Sequence, residues 1–221
     1  MKRIFDLAVS FFALLVLSPL LVPLTLMLRI TGEGEIFYMQ PRVGLNGKLF
    51  NIFKFATMVK DSPNIGSGTL TMRNDPRVLP VGVFLRKTKI NELPQLLNIF
   101  FGHMSIVGPR PLVPSGEANY TTSQAMIIRS VRPGVTGIGS LILRDEESFY
   151  AHRSDAHDFY KNEISPYKAS LEIWYVENQS FLLDIKIVVL TAVAILFPNL
   201  RVEKTFSSLP EMPISISDSI R

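Results

Sequence analysis

The chain has 221 residues, enough for one main globular unit with a real core and a small appendage. It is 47% hydrophobic and 19% charged, with 23 Lys+Arg against 19 Asp+Glu. That is apolar for a soluble protein, and the basic excess is too small to imply a nucleic-acid partner. The lack of cysteine and the three scattered histidines exclude disulfide frameworks, thiol catalysis and a Cys/His metal cage, which leaves carboxylates and hydroxyls to carry any chemistry.

Residues 7–28 carry no charge and are long enough to cross a bilayer as one helix. Ser18 is followed by Pro19, with Pro23 one turn on, and a proline removes a backbone hydrogen bond, so the segment is expected to bend near Ser18. Lys2 and Arg3 stand before the run and Arg29 after it. Basic flanks tend to stay cytosolic, which favours a helix that enters one leaflet and returns over one that spans, although spanning helices tolerate proline too. A cleaved signal peptide is disfavoured by the length of the run and by the missing small-residue cleavage site.

Short β-like pieces follow at 36–39 and 49–53, separated by GLNG at 44–47, with a Gly66-Ser-Gly68 loop beyond. Two helical patterns come next. The stretch 81–87 has one apolar face, whereas 92–101 is apolar nearly all round and stops at Gly102, as a buried helix or one lying in a membrane interface would. GPRP at 108–111 reads as a rigid loop holding the Arg110 guanidinium in one direction. Asp145, Glu146 and Glu147 follow Arg144, a pattern that by default marks a solvated helix start. The apolar stretch 185–197, stopped by Pro198, is too short to span and is expected on the core or at the interface. The Ser- and Pro-rich residues 201–221 read as a disordered tail. The glycine spacings match neither a P-loop nor a Rossmann turn.

Several blocks then occur in one order: the SPL break, RVGLNGKLFNIFKFATM, DPRV, LRKTKINELPQLLNIFFGHMSIVGPRPL, RPGVTG and IWYVENQSFLLDIKI. On these the chain resembles the bacterial sugar transferases known as monotopic polyprenyl-phosphate phosphoglycosyl transferases. The resemblance implies a mixed α/β, mostly helical fold. A re-entrant helix-break-helix at 1–30, broken at Ser18 and Pro19, would precede a small cytosolic domain at 31–200 with interfacial helices, and the tail at 201–221 would follow. It implies an enzyme of the inner (cytoplasmic) membrane, facing the cytoplasm. The reaction would move a phosphosugar from a UDP-sugar to undecaprenyl phosphate, with release of UMP, to initiate a surface polysaccharide or glycoconjugate. Magnesium is the implied cofactor, and a homodimer is among the implied partners.

In that family an Asp-Glu dyad does the chemistry, the aspartate attacking the β-phosphorus to give a covalent phosphosugar-enzyme. Here the dyad falls on Asn91 and Glu92. An amide is a poor nucleophile that no ordinary pKa shift can activate. Three routes therefore stay open: relocation of the role to Asp145, Glu146 or Glu147, attack by Glu92 itself, or direct attack by the lipid phosphate. The usual KFRSM reads KFATM, with Ala56 in place of arginine, and the block after RPGVTG reads IGSLILRDEE instead of AQVNGR.

Joining two anionic phosphates requires compensating positive charge. Arg110, Lys54, Arg77 and Arg86 are the expected phosphate-binding cations, and Glu92 is the expected magnesium ligand, since one carboxylate with phosphate oxygens and water suffices. Because of Asn91, a non-catalytic scaffold binding lipid phosphate or nucleotide-sugar is the alternative. A single-pass anchor on an unrelated soluble domain would explain the amino terminus but not the ordered blocks.

Overall fold

A computed structural model describes residues 1–31, 33–65, 75–149, 153, 155–197 and 200–217, with Pro63 and Glu147 described by backbone alone. The Gly66-Ser-Gly68 loop, Pro198 and the Glu147 side chain thus lie outside the described parts. The chain divides into two compact units: Arg3–Gln40 with Asn51–Gly102, and Met1–Lys2 with Pro41–Phe50 and His103–Arg221.

The first unit begins with α1 (Lys2–Ile30), a 29-residue helix that is mostly uncovered, with Phe12 61%, Val16 74% and Leu26 63% exposed. Among the described residues it is the one helix long and apolar enough to cross a membrane, and its open apolar surface fits a membrane anchor. The expected break does not interrupt it, for α1 stays helical through Pro19 and Pro23. Pro19 lacks the N–H that would serve the Leu15 carbonyl, and the Ser18 hydroxyl donates to that carbonyl instead, at 2.7 Å. The Thr25 hydroxyl also donates to a carbonyl one turn back, that of Leu21. Re-entry is therefore not visible as a gap in secondary structure.

Strands β1 (Phe37–Val43) and β2 (Leu49–Phe55) pair as a hairpin whose arms are divided between the units. Asn46 and Gly47 close its turn with positive φ of 54° and 77°, a conformation that asparagine and glycine tolerate best. Leu24 and Leu28 of α1 pack with Phe55 of β2 and with Leu85 of α2 (Pro80–Lys87) to form the first unit's core. Pro80 opens α2, where its missing N–H costs nothing. A 3₁₀ turn at Ile90–Glu92 leads to α3 (Gln95–Phe100), which ends at Gly102 with φ 85°. Arg3 donates to the Ile99 and Phe100 carbonyls at 2.6 and 2.9 Å, a cation on the open end of α3.

In the second unit β3 (Ser105–Val107) and β4 (Gly134–Thr136) run parallel, Ser105 opposite Gly134 and Val107 opposite Thr136. The crossover between them carries α4 (Pro114–Glu117) and α5 (Thr122–Ile128), the latter started by a Thr121/Gln124 capping box. Next come α6 (Ile138–Ile142), α7 (Ala156–Phe159), a π turn (Tyr160–Ile164), α8 (Ser165–Glu177), α9 (Phe181–Leu196) and α10 (Ile214–Ser217). Val107, Ile138, Leu171, Tyr175 and Ile187 are among the centre of its core. As expected of a short apolar stretch, α9 buries Ile187 and Ala194 on that core while Leu182, Ile195 and Leu196 point outward. The segment read as a disordered tail contributes as well: Val202, Phe206 and Ile216 are buried in the same cluster. Composition hides these three anchors among serines and prolines.

Candidate active site

The first unit gathers the KFATM and NELPQ blocks. Lys54 on β2 donates to Glu92 Oε1 at 3.0 Å, and the two side chains remain 19% and 25% exposed. Asn91, next to Glu92, is buried, and its Oδ1 has no hydrogen-bond partner. The 3₁₀ turn thus faces the carboxylate outward and the amide inward. Close by in sequence, Asn98 of α3 is fully buried. Its Oδ1 accepts the Phe53 N–H at 2.9 Å and its Nδ2 donates to the Asn51 carbonyl at 2.7 Å, so one side chain holds β2 on both sides of Ile52.

The other two cations expected in this unit are differently placed. Arg77 is buried, and its guanidinium donates to both oxygens of Asp75, at 2.8 and 2.5 Å, and to the Ser62 and Ile65 carbonyls at 2.6 and 2.9 Å. The DPRV block is thereby a structural clamp on the loop before α2. Arg86, on the last turn of α2, is half-buried and reaches the Thr57 hydroxyl at 3.5 Å. Helix α2 sits so close to this segment that a Cβ on Gly82 would lie 2.2 Å from the Thr57 carbonyl oxygen.

In the second unit the GPRP loop leaves β3 with Val107, Gly108, Pro109 and Pro111 buried and Arg110 exposed. Three glycines make its path possible. A Cβ on Gly134 would lie 2.1 Å from the Gly108 nitrogen, one on Gly137 2.1 Å from the Gly108 oxygen, and one on Gly108 2.4 Å from the Arg132 oxygen. RPGVTG and GPRP are therefore two sides of a single backbone contact. Lys2 also reaches this region, donating to the Val107 carbonyl at 2.8 Å, Tyr175 Oη at 2.9 Å and Asp184 Oδ2 at 2.5 Å.

Of the alternative acids, Asp145 is exposed, whereas Glu146 is held by Lys168 at 2.7 Å. Sequence reading passed over two side chains, Asn98 and Glu172. Glu172 on α8 accepts the Arg110 N–H at 3.3 Å and is pushed up to about 7 by burial. Its signal was there to be read: an acid inside the apolar run of a helix, four residues after Lys168, is seldom idle. Among the described residues no three His, Asp or Glu side chains converge into a metal cage. The donor chemistry of Glu92, hard, anionic and partly exposed, nevertheless fits a magnesium ion that arrives with phosphate oxygens.

The family model for bacterial sugar transferases matches residues 1–198. The chain is 36% identical over 202 residues to an undecaprenyl-phosphate glucose phosphotransferase of Komagataeibacter xylinus, which covers 86% of this chain and 35% of that protein. It is 36% identical over 208 residues to the exopolysaccharide production protein ExoY of Sinorhizobium fredii, covering 88% of this chain and 84% of that one. A UDP-glucose:undecaprenyl-phosphate glucose-1-phosphate transferase of Escherichia coli is 34% identical over 193 residues, 86% of this chain and 39% of its own length. The chain thus spans a minor part of the first and third of these relatives and most of the second. With the ordered blocks now lying on defined elements, the match settles the family: this chain belongs to the bacterial sugar transferases.

Proposed function

We propose that this chain is a membrane-bound phosphoglycosyl transferase that moves a phosphosugar from a UDP-sugar to undecaprenyl phosphate at the cytosolic face, releasing UMP and initiating a surface polysaccharide or glycoconjugate. The observation that carries the reading is the similarity over 86–88% of the chain to relatives whose names state this transfer or exopolysaccharide production. Two of those names specify glucose, which makes UDP-glucose the first donor to test. The basic residues at both ends of α1 favour a helix that dips into one leaflet with Lys2 and Arg29 both cytosolic. A cysteine at position 1 that is labelled only from outside the cytoplasm would overturn that topology.

For the chemistry, Glu92 is the accessible member of the altered dyad, while Asn91 is a buried amide that cannot attack phosphorus. We infer direct displacement. An oxygen of the acceptor phosphate bonds to the β-phosphorus as the bond from that phosphorus to the bridging oxygen breaks, and UMP leaves with the bridging oxygen. Lys54, Arg86 and Arg110 neutralise phosphate charge, and Arg77 supports the loop before α2. Glu92 would hold magnesium, which when bound supplies further charge compensation for the pyrophosphate.

Purified full-length protein in lipid should release UMP from UDP-glucose only when undecaprenyl phosphate and magnesium are both present, with sequential kinetics. Glu92→Gln should lower the rate by roughly 100-fold or more. A phosphosugar adduct trapped on Glu92, Asp145 or Glu146 and located by mass spectrometry would replace direct displacement with a covalent route. Absence of UMP release from a panel of UDP-sugars would overturn the transferase reading itself.

A further inference from the structure

Glu172 occupies a setting in which an acid is costly. It is 2% exposed, its Oε2 is buried without a hydrogen-bond donor, and α6 makes room for it with glycine: a Cβ on Gly139 would lie 2.5 Å from Oε1. Packing alone would be better served by leucine or methionine, since a buried carboxylate with an unsatisfied oxygen carries a desolvation penalty. Leucine could not do the one thing Glu172 does, which is accept the Arg110 N–H. Within GPRP the two prolines have no N–H, and Gly108 donates its own to the Thr136 carbonyl at 3.0 Å. Arg110 thus carries the loop's remaining backbone donor, and Glu172 takes it.

We propose that Glu172 is the positioning residue of the 108–111 loop, its carboxylate fixing, through the Arg110 N–H, the direction in which the Arg110 guanidinium meets substrate phosphate. This rests on the reading of Arg110 as a phosphate contact. The charged and titratable groups facing Glu172 are few. Lys168 lies one turn earlier on α8 and is bound to Glu146. Arg110 lies on the loop, and Tyr120 and the Glu117–Arg129 pair share with Glu172 the lining of a cavity of about 20 Å³, room for about one water. Burial outweighs the Arg110 N–H and the Lys168 and Arg110 charges, so Glu172 changes charge near neutrality. The ionised form accepts the stronger hydrogen bond, so the loop is held more tightly above about pH 7 than below it.

The test follows the Arg110 amide by NMR in isotope-labelled full-length protein in lipid nanodiscs. In the wild type its chemical shift and exchange protection should titrate with a midpoint near 7, and Glu172→Gln should abolish that titration. Because the folded-state value lies above the usual 4.5, neutral Glu172 favours the folded state most at low pH, and this contribution is lost as pH rises from about 4.5 through about 7. Thermal unfolding of Glu172→Gln should lack that component and also reports whether the variant folds. In kinetics, Glu172→Gln keeps an acceptor but no charge; it should flatten the near-neutral limb of kcat/KM and raise KM for the UDP-sugar several-fold more than it changes kcat. An Arg110 titration that persists in Glu172→Gln overturns the proposal. Where that variant fails to fold, a wild-type amide with no midpoint near 7 does so. If the wild type releases no UMP at all, the functional reading fails separately, and the amide titration still decides the role of Glu172.

Discussion

The Lys54–Glu92 region of the first unit and the GPRP loop of the second hold their charged groups by different means. The first is assembled from adjacent turns: α2, a left-handed residue at Lys89, the 3₁₀ turn that carries Glu92, and α3, with one amide of Asn98 binding β2 to the last of them. The second is a backbone-on-backbone contact between segments far apart in sequence, where Gly108, Gly134 and Gly137 leave no space for a side chain. Local turns can yield by small dihedral changes, whereas interlocked backbones cannot. The second region should therefore be the less forgiving of substitution.

Gly134→Ala is the sharpest way to break this contrast. Its methyl would lie 2.1 Å from the Gly108 nitrogen, 2.4 Å from the Thr136 oxygen and 2.7 Å from the Gly108 oxygen, all backbone atoms. Urea unfolding should show a loss of about 3 kcal/mol or more, the upper end for overpacking, because no side chain can rotate away. Gly116→Ala on α4 is the control. There a methyl would meet only the side chains of Val113 at 3.4 Å and Leu112 at 3.9 Å, and the change should cost nothing measurable. Similar values for the two would remove the argument that GPRP and RPGVTG lock together.

In the first unit the corresponding probe is Asn98→Ala. It strands the Phe53 N–H and the Asn51 carbonyl, and losing a buried polar partner costs about 1–3 kcal/mol per stranded group. A net loss of about 2 kcal/mol is expected, because Phe53 and Asn51 can recover water once β2 shifts. Lys54 lies on that strand, so UMP release should fall by more than stability alone accounts for. Loss of stability with full turnover would mean that Asn98 serves the fold and not the Lys54–Glu92 pair.

These probes also mark what could be read from residues alone. The apolar run of α1, the hairpin around GLNG, and α2 and α3 were legible because each is written in local signals: hydropathy, turn residues, a proline at a helix start, a glycine at a helix end. Glu92 could be singled out as a candidate because it stands in a block of fixed order. Ser18 was legible as a special site, but its effect was not: the expected break is covered by its own hydroxyl, bonded to the Leu15 carbonyl. Arg77 looked like a free cation because its partner Asp75, two residues earlier, gives no hint of burial. Glu172 carried a local hint, an acid within an apolar helical run, but its partner on the GPRP loop and the Gly108–Gly134 contact depend on which segments meet, and no local pattern encodes that. The same holds for Val202, Phe206 and Ile216, whose burial is decided by the surface available to them.

The smallest effect comes from the joint of the first unit. Lys89 follows α2 with φ 60° and ψ 9°, a left-handed conformation that a helix end usually gives to glycine. Its N–H bonds to the Arg86 carbonyl at 3.2 Å, and its own carbonyl accepts the Glu92 N–H at 3.0 Å, so this strained residue sets the path into the turn that faces Glu92 outward. Lys89→Gly relieves the clash of Cβ with the backbone at the cost of extra freedom in the unfolded chain, and the balance should be a gain of about 0.5 kcal/mol. Lys89→Asn, which tolerates the same conformation with less freedom when unfolded, should match it. If both variants gain stability and keep UMP release, the turn is held by its hydrogen bonds and the lysine is incidental. If both gain stability but lose turnover together, the ammonium itself serves the reaction, and the first region is built for charge at the expense of a relaxed backbone, where the second has glycine at each tight point.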